Sequence, residues 1–410
     1  MRTATTERIE AVLAGLPPGA RVVASGNSAT PWTLVGLLDK SLETYTLHLL
    51  NPHPGVPDRD GVTLETTFVG SGARRSARLA YVPARLSLVP LLYGSALPPD
   101  AVLVHTSLPR DGKVSLGAEV NVLPAAIEAA RARGGTVIAQ MDPGMPYVYG
   151  DGELALDDVD WGFEAGDALG SPVHPPTDDL AAAIAEKVSS RIGDGATLQL
   201  GIGAVPDAVL AGLRGRRGLR VWSEMVSDGI LDLERDGSLD PDAPLTASFL
   251  FGSPELYAWA DGNPRLRLLR TETTNDPGVI ARNPAMVSVN TALQVDLFGQ
   301  VNASRIRARI HSGFGGQTDF IVGALHAHGG QAIIALRSWH PKADVSTIVP
   351  LVDEPVTSFQ PSAVVTEQGV AALWGSTERA QARALVEHAA HPSVREELYE
   401  EAVALGLLRD

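Results

Sequence analysis

Two stretches far apart in the chain follow one plan. "PPGARVVASGNSATPWTLVGLL" (17–38) and "GDGATLQLGIGAVPDAVLAGL" (193–213) each run through Gly-Ala, an apolar strand, a glycine-containing turn, Pro and a helix closing on Leu. Pro31 and Pro206 differ by one residue in register, and each copy follows a segment with helical spacing, 5–16 and 179–192. The first half adds "DAVLVHTSL" (100–108) and "GTVIAQMD" (135–142), separated by "LPAAIEAARARGG", a helix ending at glycine. Strand, helix, strand is a βαβ unit, and its strands must run parallel. The second half repeats the pattern with "ATLQLGIG", "PDAVLAGL" and "LRVW", followed by apolar runs in 284–300, 319–336 and 362–370 and a helical tail interrupted at Pro392. The expected fold is therefore two similar open α/β domains with mainly parallel sheets. The join is expected near "GSPVHPPTDD" (170–179), where a Pro-rich stretch ends in acidic N-cap residues. This gives domains 1–175 and 176–410.

Composition narrows the classes of function. A chain of 410 residues suits two such domains, and 44% hydrophobic with 20% charged residues is ordinary for a globular protein. A net charge of −15 argues against a general nucleic-acid binder, because phosphate neutralisation needs a basic face. With no cysteine, disulfides, thiolate nucleophiles and Cys-ligated zinc all drop out. No apolar run reaches the roughly 18 residues of a membrane span. Glu7, Arg8 and Glu10 stand where a signal peptide would turn apolar, so 5–16 reads as an amphipathic helix and the expected location is cytoplasmic.

Glu224 is the carboxylate in an unusual place. In "RVWSEMVSDG" (220–229), Arg220–Trp222 reads as the end of a strand and Ser227 onward as the start of a helix, with Glu224 in the turn. In a parallel sheet, ligand sites gather outside the carboxyl ends of the strands. "LQLGIG" and "LRVWSE" are consecutive strands of one βαβ unit, so Glu224 and the amides near Gly201–Gly203 share one sheet edge. The turn "LGIGAVPD" (200–207) can be an anion or oxyanion cradle at a helix N-terminus, or a plain tight turn; a dinucleotide fold would want a third glycine where Pro206 stands. "SGFGGQTDF" (312–320) allows close backbone approach to a ligand, or forms a hairpin loop. Asn275, ahead of Asp276-Pro277, fits a turn and could also orient a carboxylate. Arg305, Arg307 and Arg309 alternate as on one face of a strand, either a solvated edge or a phosphate stripe. His326 and His328 have no matching carboxylate spacing, so no metal site is expected.

Taken together, "LQLGIGAVPDAVL", "SEMVSDGILDL", "NDPGVIARNPAMVSVNTALQVDLFGQVNAS", "SGFGGQTDF", "GGQAIIAL", "STIVP" and "VVTEQGVAAL" resemble the acetyl-CoA hydrolase/transferase family. "LPPDAVLVHTSLPRDGKVSLG" and "MPYVYGDGEL" look like that family's first domain, so the resemblance covers nearly the whole chain. It implies a class I CoA-transferase similar to 4-hydroxybutyrate, butyrate and succinyl-CoA:acetate CoA-transferases, with the active site at the domain interface. Coenzyme A or acyl-CoA and a small carboxylic acid would be the substrates, with no metal or redox cofactor, and the protein would be a homodimer. The family's "(S/T)E" glutamate falls on Glu224 as nucleophile. Gly201, Ile202, Gly203 and Gly316 fall on oxyanion donors, and Asn275 lies beside the reacting carboxylate. Gly313, Gly315, Gly316, Gln317 and Lys342 are implied CoA contacts, and Gln199, Met145 and Tyr147 implied substrate contacts. An acyl-CoA hydrolase at the same site, or a CoA-binding protein with reduced turnover, are the alternatives. The chain departs from its relatives where they often read "MPR" against Met145-Pro146-Tyr147, and "TEYGVADLRGKS" against "TEQGVAALWGST" (366–377).

Overall fold

The computed structural model describes residues 1–171, 177–201 and 203–409. The expected join between 175 and 176, and Ile202, lie outside the described residues.

Apolar runs without alternation predict strands covered on both faces, and the strands bear this out: Ala101–Thr106 is buried at every position. They build two large sheets. The eight-stranded sheet runs Arg2–Thr3, Trp161–Glu164, Thr136–Met141, Ala101–Thr106, Ala20–Ala24, Tyr45–His48, Val62–Thr66 and Leu79–Tyr81, all parallel. The nine-stranded sheet runs Gly369–Ala372, Ala363–Thr366, Gln331–Ala335, Met286–Asn290, Thr197–Leu200, Arg220–Trp222, Leu245–Ala247, Leu266–Leu268 and Tyr149–Gly150. Only its first pair is antiparallel.

Three edge strands set aside (Arg2–Thr3, Tyr149–Gly150 and Gly369–Ala372), seven strands remain in each sheet. Numbered in chain order, both sets run 7-6-5-1-2-3-4 across the sheet. The strand–turn–helix repeat read from 17–38 and 193–213 is thus the first strand of two sheets of identical order. Strand 1 is flanked by strands 2 and 5, so the chain leaves it in opposite directions. A crevice must open at the carboxyl ends of that pair, the switch point at which open α/β sheets take their ligands. In the second sheet this point lies between Thr197–Leu200 and Met286–Asn290.

The covering helices follow from their apolar stripes and caps. Asp179–Ser189 buries Ala181, Ile184, Ala185 and Val188 at helical spacing, and the Asp178 carboxylate accepts the Ala181 N–H. One continuous cluster of buried apolar side chains includes Val104, Val120 and Leu116 together with Leu198, Val221 and Val226, so the two sheets share a core. The Tyr149–Gly150 strand ties the first half of the chain to the edge of the second sheet.

One expected strand fails. Arg305–Ile306 pairs antiparallel with Arg309–Ile310, and Arg307 and Ala308 form the reversal with φ of 51° and 62°. The three arginines therefore do not line one face, because a two-residue turn with positive φ at both positions folds the segment back on itself.

Candidate active site

Glu224 sits where the sheet edge places it. The strand Arg220–Trp222 ends two residues earlier, and Met225–Val226 at once pairs with Phe249–Leu250. The Glu224 carbonyl accepts from the N–H groups of Ser248 and Phe249 at 2.9 and 3.1 Å, so both sides of the residue are pinned. Its side chain faces a cavity of about 310 Å³ lined from both halves of the chain, among others by Asn27, Phe68, Asn121, Gln199 and Gly316.

The carboxylate is held on one oxygen. Asn275, fully buried after the short helix Thr271–Thr274, donates from Nδ2 to Glu224 Oε2 at 3.1 Å. Thr274 Oγ1 donates to Asn275 Oδ1 at 2.9 Å and fixes the amide orientation. Gly316, at the N-terminus of the helix Gln317–His326, lies against the same oxygen: a Cβ built there would stand 1.9 Å from Oε2 and 2.3 Å from Asn275 Nδ2. Any side chain at 316 would displace the carboxylate. No hydrogen bond to Oε1 occurs among the described residues. Burial pushes the Glu224 carboxyl up to about 7, the Asp319 charge adds to the rise, and Asn275 and the Gly316 amide oppose it.

The glycine loop that carries Gly316 is not a free hairpin. Val69 N–H donates to Ser312 O at 2.8 Å, Leu86 N–H donates to Gly315 O at 2.9 Å, and Phe68 bridges Gly313. The segment is clamped to the first half of the chain. Asp319, in the first turn of the helix that follows, is fully buried and accepts from Ser87 N and Oγ at 3.1 and 2.8 Å. Burial pushes its carboxyl up to about 6 despite those bonds.

Of the residues singled out in the sequence, Gln199, Gly201, Glu224, Gly313, Gly315, Gly316 and Gln317 line the cavity, and Asn275 reaches Glu224 from behind it. Gln199 Oε1 accepts from Ser288 Oγ at 2.6 Å and Asn290 Nδ2 at 3.1 Å, across the switch point of the second sheet. The Gly201 N–H turns back to Val289 O at 3.4 Å, within the sheet ladder. Gly203 opens the helix Ala204–Gly212 with φ 123°. Lys342 is exposed in the turn between Trp339–His340 and Val345–Ser346 and does not line the cavity. Neither Met145 nor Tyr147 lies there. Both line a separate, larger groove of about 660 Å³. Size alone would favour that groove, but its acids are occupied. Asp142 accepts from the N–H groups of Gly144 and Asp167, and Asp261 from the N–H of Tyr147 and from Arg110. His326 uses its ring nitrogen on the Val322 carbonyl, and no group of three or more His, Cys, Asp or Glu that could hold a metal occurs among the described residues.

Several site residues escaped the sequence reading. Asn27, Asn51 and Asn121 all line the cavity, and all have left-handed backbone, with φ of 46°, 47° and 37°. Asn27 Nδ2 donates to both oxygens of Glu119 at 3.0 and 2.9 Å, and Asn121 Nδ2 donates to Oε1 at 3.0 Å. Burial pushes the Glu119 carboxyl up to about 7, opposed by these amides and reinforced by the charge of Glu224. The available signal was Asn27: it stands in "SGNS", the turn that overlays the "GIG" turn of the second copy. Asparagine is the residue most at home in left-handed turns after glycine.

Glu224 thus stands at the end of the strand next to the switch-point pair, held on one oxygen by Asn275 and packed on the Gly316 backbone. Residues 252–402 match the family profile described as Acetyl-CoA hydrolase/transferase C-terminal domain. Across its length, the chain is 38% identical over 406 residues to the 4-hydroxybutyrate coenzyme A transferase of Clostridium kluyveri, covering 93% of each. The chain belongs to the acetyl-CoA hydrolase/transferase family. Its fold agrees with solved structures of similar proteins. RipA from Yersinia pestis superposes with a TM-score of 0.92 at 25% identity, over 99% of this chain and 98% of that one. The 4-hydroxybutyrate CoA-transferase from Porphyromonas gingivalis gives 0.83 at 31% identity, over 98% of both. The fold is thus the mainly parallel α/β architecture of CoA-transferases, as the motifs implied, and no helix among the described residues is long and apolar enough to cross a membrane.

Proposed function

We propose that this member of the family is a CoA-transferase that moves coenzyme A between an acyl-CoA and a small carboxylic acid through a glutamyl-CoA thioester on Glu224. The observation that carries the reading is the asymmetry of that carboxylate: Oε2 is bound by Asn275 and packed on Gly316, while among the described residues no hydrogen bond reaches Oε1 beside the cavity.

Oε1 attacks the thioester carbonyl of the acyl-CoA, the C–S bond breaks, and an acyl-glutamyl anhydride and CoA thiolate result. The thiolate attacks Cδ of Glu224 and the anhydride C–O bond breaks, releasing the first acid as its carboxylate. The second acid attacks Cδ, expels thiolate and re-forms an anhydride; thiolate then takes the new acyl group and restores the Glu224 carboxylate. No net proton is consumed. The bound oxygen, Oε2, carries the developing charge whenever Cδ is attacked, so Asn275 Nδ2 and the Gly316 amide are the donors that stabilise it, each worth roughly 3–4 kcal/mol in such a role. Gly201 has its N–H turned into the sheet, so on the acyl side the proposed donors are Ile202, which lies outside the described residues, and Gly203, at the start of a helix. Gly313, Gly315 and Gln317 line the approach for coenzyme A. Lys342 lies outside the cavity lining, and Met145 and Tyr147 belong to a different groove. The proposal includes the division into domains 1–175 and 176–410, a cytoplasmic setting and a homodimer, the last tested by sedimentation at twice the chain mass.

The test is a matrix of acyl-CoA donors against carboxylic acid acceptors. Transfer gives a second acyl-CoA, and donor without acceptor leaves a CoA mass on the peptide containing Glu224. Release of free CoA alone, at the same rate with and without acceptor, would identify a hydrolase and overturn the reading.

A further inference from the structure

The walls of the cavity restrict the acyl group, an inference that rests on the transfer reading above. Among the described residues no lysine, arginine or histidine lines the cavity, and Glu224 is the only charged side chain that does. Two more carboxyl groups stand just behind the wall. Asp319 lies beside Asn275, and Glu119, 1% exposed, lies behind Asn27 and Asn121.

Glu119 also sets which polar atoms the wall offers. The side-chain N–H groups of Asn27 and Asn121 are drawn toward it, and their carbonyl oxygens accept from Asn51 Nδ2 at 3.0 Å and Thr271 Oγ1 at 3.1 Å. The remaining side-chain amides also have partners: Gln317 Nε2 donates to Thr291 O, Asn290 Nδ2 donates to Gln199 Oε1 and Ser288 Oγ, and Gln199 Nε2 makes a long contact of 3.5 Å with Asn290 Oδ1. Two nearby bases, His53 and Arg85, stand outside the lining. His53 packs edge-on to Phe251 and burial lowers its pKa, and Arg85 acts on Asp319. The rest of the wall is mainly apolar, with Leu50, Phe68, Leu86, Phe249, Phe251 and Phe314, and adds the hydroxyls of Thr291 and of Ser312, whose Oγ donates to Ala303 O. Three asparagines in left-handed backbone around one buried acid form a built arrangement, since such conformations persist only where the surroundings hold them.

We propose that the cavity accepts acyl groups with no charge beyond the reacting carbonyl, and that Glu119 is the specificity-determining residue that rejects a second carboxylate. A terminal carboxylate entering here loses its water, meets like charges and, among the described residues, finds no cation in the lining and side-chain amides already committed to other partners. A methyl-ended chain meets the aromatic wall at no such cost.

Butyryl-CoA and succinyl-CoA test this, because both acyl groups have four carbons and they differ in the terminal methyl or carboxylate. With one acceptor at fixed pH, kcat/KM for succinyl-CoA is expected to be at least about 100-fold below that for butyryl-CoA. Values within threefold (~) of each other would overturn the proposal without any variant being made, and would leave transfer chemistry standing. Glu119→Gln keeps the size and removes the charge, and is expected to raise kcat/KM for succinyl-CoA itself by about tenfold. General damage to the fold would instead lower both substrates together, so an unchanged or falling succinyl-CoA rate would remove Glu119 from the role. Should Glu119→Gln fail to fold, Glu119→Ser is read in the same way. If the wild type exchanges neither thioester with any acid, the transfer reading falls and takes this inference with it.

Discussion

Glu224 is useful because its two oxygens are unequal. Removing the nucleophile while keeping its shape, as in Glu224→Gln, is expected to lower kcat for transfer by at least about 1,000-fold with little change in CoA affinity, read by turnover and by calorimetric titration. Asn275→Ala should lower kcat by about 100-fold without removing the glutamyl-CoA adduct, because it deletes a donor and leaves the nucleophile. The pH profile follows from the titration. Attack needs the ionised carboxylate, so kcat/KM is expected to rise with pH through about 7, the value to which burial pushes Glu224. Stability runs the other way. Between 4.5 in the open chain and about 7 in the fold, the folded protein holds a proton that the unfolded chain has lost. Stability therefore falls as pH rises across that window, and Glu119, with the same shift, adds to the fall. Glu224→Gln should accordingly be more stable than wild type at pH 8 by about 1–3 kcal/mol, and little different at pH 4, measured by denaturant melts. Equal stability at pH 8 would mean that the carboxylate is not desolvated in the fold.

The elements place these groups through turns at strand ends. The helix Gln317–His326 starts at Gly316 because only a residue without Cβ leaves room for the Glu224 carboxylate. Gly316→Ala is expected to abolish transfer and to destabilise by about 1–3 kcal/mol, since carboxylate and amide must both shift. Gly36 provides the contrast. It is exposed within the helix Trp32–Ser41, with no atom within 4 Å of a built Cβ, and Gly36→Ala should stabilise by about 0.5–1 kcal/mol and leave activity unchanged. A pair of thermal melts with activity assays checks both. The hairpin at 305–309 makes the opposite point about alternation: the arginine spacing was that of a strand, but Arg307 and Ala308 adopt turn dihedrals, so the pattern had no strand to act on.

At the scale of the molecule, two sheets of identical order bring their carboxyl ends to one cavity, and they share core and edge. The apolar cluster runs through both, the Tyr149–Gly150 strand crosses to the second sheet, and Arg270 makes a bidentate pair with Glu128 across the halves at 2.8 and 2.9 Å. That pair is exposed and adds little, whereas the shared core couples the halves. Calorimetry is expected to give one endotherm for the whole chain. Two resolved transitions would mean that each sheet melts by itself. The cavity should disappear with the core, so CoA binding and the near-ultraviolet signal are expected to be lost at the same denaturant concentration.

Much of this protein was legible from the sequence alone. Apolar runs, glycine turns and caps such as Asp178 are local signals whose burial and hydrogen bonding depend on neighbours within a few residues. The α/β alternation, the parallel sheets and the position of Glu224 at a strand end follow from them. The chain repeat also anticipated the two matching sheets. What converges on Glu224 was decided by tertiary structure. Asn27 meets Glu119 across 92 positions, Ser87 meets Asp319 across 232, and Asn275 meets Glu224 across 51. Tertiary packing likewise put Met145 and Tyr147 in another groove and left Lys342 in solvent. Periodicity encodes which face of an element is buried; it carries no information about which distant side chain will lie against that face, because that depends on how whole sheets pack.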